Sequence, residues 1–455
     1  MTAGSVFPAE DELLALAAKV AGEAAAGEQV EAYVTSGSST SVRVQGGDVE
    51  SLTQAASAGI GVRVVADGRQ GFAYAGSLDP DVIADVLAEA RDNAAYAQPE
   101  EWVGLATPDG VAPPAVDLWR DELAELPTAD KVALALELER AVQARDPRVS
   151  GVRVAAWGDG SGVGAVATST GIAVAGRATH CHLSVQALAV DGDETTTGYG
   201  VSVGRAPGDV SLDEAADDAV DRATRLLGAT QPASGLVTLV LEPRMAATVL
   251  GIVAGMLNGE SVLKGLSPFG DRVGETIASP LVTLIDDPTD ARSLGADSHD
   301  GEGLATRRIP LIEAGVLGGF LHNTMTGRRA GVPSTASAVR GFRSTPGVGA
   351  QALALAPGEG SLDDLIAAVD HGILVQSMTG LHSGVNPVSG DFSVGVEGLM
   401  IRGGARAEPV REATVASTLQ RLLLDVAAVG GDREWTPGGT GASTLVIPGV
   451  TLSGA

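Results

Sequence analysis

Little in this 455-residue chain supports covalent or aromatic stabilisation: it has one cysteine, Cys181, and only 3% aromatic residues. A single thiol excludes an internal disulfide. Scarce aromatics mean that any core is built mainly from Ala, Val and Leu. Cations are also few, at 30 Lys and Arg against 57 Asp and Glu, for a formal charge of −27. Such a field repels nucleic-acid phosphates and anionic lipid, and no basic cluster rises above it. Neither nucleic acid nor membrane is expected as a partner. The opening MTAGSVFPAEDELLALAAKV has no basic segment before its apolar stretch, unlike a secretory leader. The longest largely apolar run, Met245 to Leu257, is 13 residues, short of the roughly 20 that span a bilayer. A cytoplasmic location is the expectation.

Hydrophobic residues make up 44% of the chain, and glycine is abundant at 61 residues. That combination predicts real cores connected by many tight turns. The fold class expected is α+β: helix–strands–helix units first, then a strand-rich, Gly-rich domain with a few helices.

The first unit opens with an amphipathic helix over 9–26, in which Leu13, Leu16, Ala17, Val20 and Ala24 recur at helical spacing. Strand-like runs come next at Glu31–Thr35, Ser41–Gln45, Gly59–Ala66 and Gly71–Ala75. A second helix, Pro80–Ala95, has Asp79 as its expected N-cap. Residues 98–116 carry Pro99, Pro108, Pro113 and Pro114 and read as a linker. The same order then returns: a helix at 128–145 with Thr128 as cap, strand-like runs at Val152–Trp157, Gly162–Ser169, Ile172–Val190 and Thr195–Val203, and a helix at 212–228. A capping box of Ser211 and Glu214 is expected to open that last helix. The repeat is one of order, since no sequence identity links the halves. The segments expected are 1–97, 117–230 and 231–455.

Beyond Gly235, hairpin cues stand at Glu313-Ala314-Gly315 and Arg402-Gly403-Gly404. Helices are expected at 243–258, 361–370 and 415–428.

Common catalytic signatures are missing: there is no HExxH, no phosphate-binding GxxxxGK[ST] loop and no CxxC. His180-Cys181-His182 would put two imidazoles on one face of a strand, a partial metal site or an ordinary strand. Asp286-Asp287 and His299-Asp300-Gly301-Glu302 gather carboxylates near an imidazole, suited to acid–base work or simply to turns. The most distinctive stretch is GLHSGVNPVSGDFSVG, from Gly380. It interleaves glycine with His382, Ser383, Asn386 and Asp391, the candidate substrate-binding residues. Such a loop suits backbone pairing with a peptide, although a plain hairpin also explains it. His382, Ser383 and Asp391 have the residue types of a nucleophilic triad, but adjacent His and Ser cannot easily face each other.

That stretch continues as GVNPVSGDFSVGVEGLMIRGG, Gly384–Gly404, and resembles the TldD/TldE (PmbA) metallopeptidase family in its TldE/PmbA version. SPLVTLIDDP at Ser279–Pro288, DGEGLATRRIPLIEAGVLGGFLHN at Asp300–Asn323 and TGRRAG at Thr326–Gly331 carry the same resemblance. It implies a two-part peptidase whose TldD-type subunit holds zinc on HExxxH and a C-terminal cysteine, zinc activating a water that the glutamate deprotonates. Counting back from Val273-Gly274-Glu275, Leu250 and Gly255 stand at the two histidine positions and Gly251 at the glutamate. Pro437–Ser443 holds no cysteine. The resemblance therefore implies no catalytic residue and no metal ligand in this chain, with zinc in a TldD-like partner subunit of a heterodimer and an extended peptide as substrate. Two other readings stay open: an amide-hydrolysing pair that tailors a natural product, and a homo-oligomeric peptide-binding protein without hydrolytic activity.

Overall fold

The computed structural model describes residues 8–455, and they form a mixed α+β protein. The first half runs α1 (Glu10–Ala21), β1 (Glu28–Gln45), β2 (Asp48–Ala66), β3 (Arg69–Ala75) and α2 (Pro80–Tyr96). After α3 (Asp121–Ala124) and α4 (Thr128–Arg145) come β4 (Val149–Thr168), β5 (Ala173–Asp191), β6 (Glu194–Gly204) and α5 (Leu212–Thr224).

Both units share one sheet. Its order is β3-β2-β1-β4-β5-β6, antiparallel throughout, with β1 and β4 paired at the centre from Glu31↔Thr168 to Val44↔Ala155. The repeat of order thus becomes two three-stranded halves that meet back to back. The separate strand-like runs at 31–35 and 41–45 are one strand of 18 residues. Its intervening SGSST lacks the apolar alternation that marks a strand, yet both edges of that segment are paired. The runs at 152–157 and 162–169 merge likewise into β4.

One face of this sheet is apolar and covered by the helices. Val30, Ala32 and Val34 of β1, Ala165 of β4 and Val185 of β5 are all buried there. The outermost strand on each side admits its helix through glycine. A Cβ at Gly71 of β3 would stand 2.0 Å from the Ala90 carbonyl oxygen of α2. At Gly200 of β6 it would stand 1.9 Å from the Ala215 carbonyl oxygen of α5. Neither backbone can yield without lifting the helix. Gly200→Ala is therefore expected to destabilise the protein by about 1–3 kcal/mol, the range for overpacking. An unchanged melting midpoint would contradict this packing.

Several expected caps differ in detail. Asp79 precedes α2 without a side-chain cap bond. Thr128 lies within the first turn of α4, behind Pro127, and its hydroxyl accepts from Gln54 Nε2 instead. Ser211 does accept the Glu214 amide, but the Glu214 carboxylate takes a hydrogen bond from Ser202 rather than closing a box.

The second half begins with β7 (Gly235–Leu241) and α6 (Pro243–Met256). Parallel pairing of β7 with His371–Thr379 starts a sheet that continues through Asp391–Arg402 and Ala405–Thr418. Leu445–Ser453 pairs with both β7 and Thr414–Ala416, so the five strands close on themselves. Closure removes open edges. Ile373, Val394, Val415 and Leu452 belong to the large core that also buries Leu250 of α6. A second, smaller sheet combines short strands from 284–286, 309–317, 353–355 and 434–442.

Both hairpin cues form turns with two left-handed residues, Ala314-Gly315 and Gly403-Gly404. The helix expected at 415–428 shortens to Leu419–Leu424, because residues 415–418 complete a strand and Thr418 then caps the helix. The helix expected at 361–370 spans Leu362–Ala367. No described helix is long and apolar enough to cross a membrane.

Candidate functional site

The other face of the six-stranded sheet has a floor of small residues. Gly158, Gly160, Gly162 and Gly164 alternate along β4 on this face. Across from them lie Ser41, Ser39, Gly37 and Thr35 of β1, and His182, His180, Ala178 and Gly176 of β5. The result is a furrow about 20 Å long at roughly 3.3 Å per residue. Loops around 297–301 and 338–351 from the second half cross one end of it. Together they enclose a cleft of about 440 Å³.

Titratable groups gather at this closed end. Asp297 reaches over Gly176, and although solvent touches it, the surrounding walls desolvate its carboxyl and raise its pKa. His299 is held by Ser298 Oγ at 2.9 Å from Nδ1, and desolvation lowers its pKa. Tyr33 rises from the floor, with its phenol pKa raised chiefly by burial.

Beneath the cleft lies a cluster of four charges. Arg63 Nη2 meets Glu31 at 2.7 Å and Glu302 at 3.5 Å, while Arg340 Nη1 donates to the other oxygen of Glu31. All four side chains are at most 4% exposed. The Arg340 guanidinium also lies 4.9 Å from the centre of the Tyr33 ring, within cation–π range. The cluster joins β1 and β2 to loops of the second half, so it both buries charge and positions one wall of the cleft.

The structure divides the His299–Glu302 motif by role. His299 faces the cleft. Asp300 accepts the amides of Glu302, Leu304 and Ala338, and desolvation with the nearby Glu302 charge raises its pKa to about 7. Glu302 accepts the Thr324 amide at 2.8 Å. Asp286 similarly accepts the amides of Gln351 and Ala352 on one oxygen and leaves the other, buried, without a partner. These carboxylates hold loops.

His382, Ser383, Asn386 and Asp391 lie elsewhere, exposed at a rim of the closed sheet, and none lines the cleft. Ser383 Oγ donates to the Gly380 carbonyl at 3.3 Å, whereas Asp391 accepts from Ser389 Oγ at 2.6 Å. Asn386 Oδ1 accepts the Val388 amide. These bonds leave His382, Ser383 and Asp391 unconnected as a relay. Their polar atoms shape the loop itself.

His180 and His182 share the furrow face, each ring lying over a glycine. A Cβ at Gly160 would come within 2.4 Å of the His180 ring, and one at Gly158 within 2.2 Å of His182. Desolvation lowers both pKa values. Cys181 points the other way into the helical core, where burial pushes its thiol up to about 12. Among the described residues, no three His, Cys, Asp or Glu side chains gather as a metal-binding group.

Whether zinc fits the positions set against HExxxH is a question of donor atoms. Leu250 is buried in the core at 1% exposure, and Gly251 and Gly255 lie on an open helix face where a Cβ would meet nothing within 4 Å. Helix α6 does pack against the short strand Gly441–Ala442, and Ser443 beside it is fully buried with its hydroxyl unpartnered. The two segments meet, but they offer one hydroxyl and no imidazole, carboxylate or thiolate. These residues do not fit zinc.

Reasoning from sequence missed Tyr33, Asp297, Arg340 and the Glu31–Arg63 pair. The alternating glycines of β4 were the available signal for the furrow; nothing local marks Arg340, whose partner Glu31 is 309 positions away.

Comparison with known proteins agrees with this architecture. Residues 30–94, 121–227 and 234–454 match domain 1, the central domain and the C-terminal domain of the PmbA/TldA metallopeptidases. The metalloprotease PmbA of Escherichia coli O157:H7 is 25% identical over 98% of this chain and 96% of its own length. A metalloprotease TldD homolog of Haemophilus influenzae is 27% identical over 87% of this chain and 86% of its own. The crystal structure of TldE from Thermococcus kodakarensis shares the fold, with a TM-score of 0.89 at 22% identity, covering 98% of this chain and 99% of that one. With three successive domains matched from residue 30 to residue 454, this chain belongs to the PmbA/TldD metallopeptidase family.

Proposed function

We propose that this chain is the zinc-less subunit of a cytoplasmic two-part metallopeptidase. It holds an extended peptide while a zinc-bearing, TldD-like partner supplies the hydrolytic chemistry. The observation that carries this reading is the hydrocarbon at Leu250, Gly251 and Gly255, on a helix that otherwise keeps its place beside residues 441–443. The furrow supports a binding role. At Gly162 and Gly164, unlike Gly158 and Gly160 beneath the His182 and His180 rings, no side chain holds an extended backbone away from the sheet. The loop at 380–396 offers a second peptide-facing surface, with His382, Ser383, Asn386 and Asp391 exposed on it.

The test is co-expression with the partner, size exclusion, and a peptidase assay with each chain omitted in turn. Activity is expected to vanish when either chain is absent. His382→Ala and Ser383→Ala are expected to weaken it without abolishing it. Stoichiometric zinc and peptide cleavage in this chain alone would overturn the reading.

A further inference from the structure

Arg340 presents an anomaly at the closed end of the cleft. Its side chain is 0% exposed, Nη1 is engaged by Glu31, and both Nε and Nη2 are buried without a hydrogen-bond partner. Burying an unpaired charged donor is costly, so two on one guanidinium call for an explanation. The two unpaired atoms are neighbours: Nε and Nη2 form one in-plane edge of the guanidinium. Tyr33 covers a face of the group, and that contact uses none of the in-plane hydrogens. Arg63 shares Glu31 but also pairs with Glu302, so the cluster is balanced in charge and the free edge of Arg340 offers unused donors.

We propose that the closed end of the cleft is a carboxylate subsite, in which Arg340, whose Nε and Nη2 have no solvent access in this structure, turns that edge into the cleft and takes a carboxylate of the bound peptide side-on. Two parallel N–H donors match the two oxygens of a planar carboxylate. A dianionic phosphate fits less well, because Asp297 and Asp300 line the same end and would repel the second charge. Gly162 and Gly164, over which no ring lies, line the same cleft, so an extended chain has room to lie beside this point. This inference deepens the reading of the chain as a peptide-holding subunit and rests on it.

The carboxylate has two sources, the C-terminus of the peptide or an acidic side chain. Calorimetry on the full chain with three probes separates them: N-acetyl-pentaalanine as the free acid, the same peptide as its C-terminal amide, and the amide with a central glutamate. We expect the free acid, the glutamate peptide or both to bind at least about ten-fold more tightly than the plain amide. Tighter binding of the acid assigns the C-terminus, and tighter binding of the glutamate peptide assigns the side chain. Equal affinity of all three, or no binding of any, overturns the subsite. In Arg340→Lys, which keeps the charge but not the fork, the preference should fall to less than about two-fold; full retention also overturns it. The wild-type comparison needs no variant and stands even if Arg340→Lys folds poorly. If the paired assay loses activity without either chain but cleaves acid and amide alike, the subsite falls and the functional reading survives. If activity persists without this chain, the functional reading falls whatever the calorimetry shows.

Discussion

Replacing Glu31 by alanine should lower the unfolding free energy by about 3–5 kcal/mol, the cost of breaking a buried ion pair by removing one partner. Glu31 is fully buried between Arg63 and Arg340. Burial alone would raise its pKa, but the two guanidinium charges override that and hold it below the ordinary value. Alanine leaves both cations in the interior, with Arg63 keeping the longer contact to Glu302 and a 3.4 Å hydrogen bond to the Gln70 side-chain oxygen. Glu31→Gln keeps the volume and two polar atoms, so it should cost less. Urea unfolding of the three proteins checks the order. An alanine variant within about 1 kcal/mol of wild type would mean that the cluster adds little to stability. Because the cluster ties the sheet to the loop that carries Arg340, peptide binding should weaken with it.

The stability contributed by buried carboxyls should be greatest near pH 4 and be lost by about pH 7. Two buried carboxyls set the upper side. Desolvation raises Asp286 to about 6, and desolvation with the Glu302 charge raises Asp300 to about 7, from an ordinary 3.8. A folded pKa above the unfolded one contributes stability that is complete below the unfolded value and lost as pH rises through the folded value. At about 1.36 kcal/mol per unit, Asp286 alone removes about 3 kcal/mol by pH 8. Glu31 sets the lower side with the opposite sign: its pKa is lowered, so its contribution is present above about 4.5 and lost as pH falls through the depressed value. Melting midpoints measured from pH 4 to 8 read this profile directly. Asp286→Asn should flatten the alkaline limb, since asparagine keeps an oxygen for the Gln351 and Ala352 amides and carries no charge to bury. Equal pH dependence of wild type and Asp286→Asn between about pH 4 and 6 would contradict the raised carboxyl. Asp300 is the poorer residue to change, because its two oxygens accept three amides.

Element types were legible wherever a local period or turn signal was strong. Helix α1 shows its apolar spacing, and the Gly403-Gly404 pair announces its turn. Extents were less legible. The segment SGSST inside β1 and the glycines inside β4 look like loop, because strand propensity reflects packing against neighbours that lie far along the chain. The loop at 380–396 attracted attention through its polar residues, yet their hydrogen bonds are mostly local. The cleft was invisible for the opposite reason: Tyr33, Asp297 and Arg340 converge from widely separated parts of the sequence.

Sequence by itself determined the donor inventory: which positions hold imidazole, carboxylate or thiol, and which hold only hydrocarbon. Chemical identity is local, so Leu250, Gly251 and Gly255 lack zinc ligands in any fold. Only the tertiary structure decided that two helix–strand units become one sheet, that its glycines line up as a furrow, and that Arg340 is buried with one edge unpaired. Those outcomes depend on long-range pairing and on desolvation, and neither exists until the chain has closed around them.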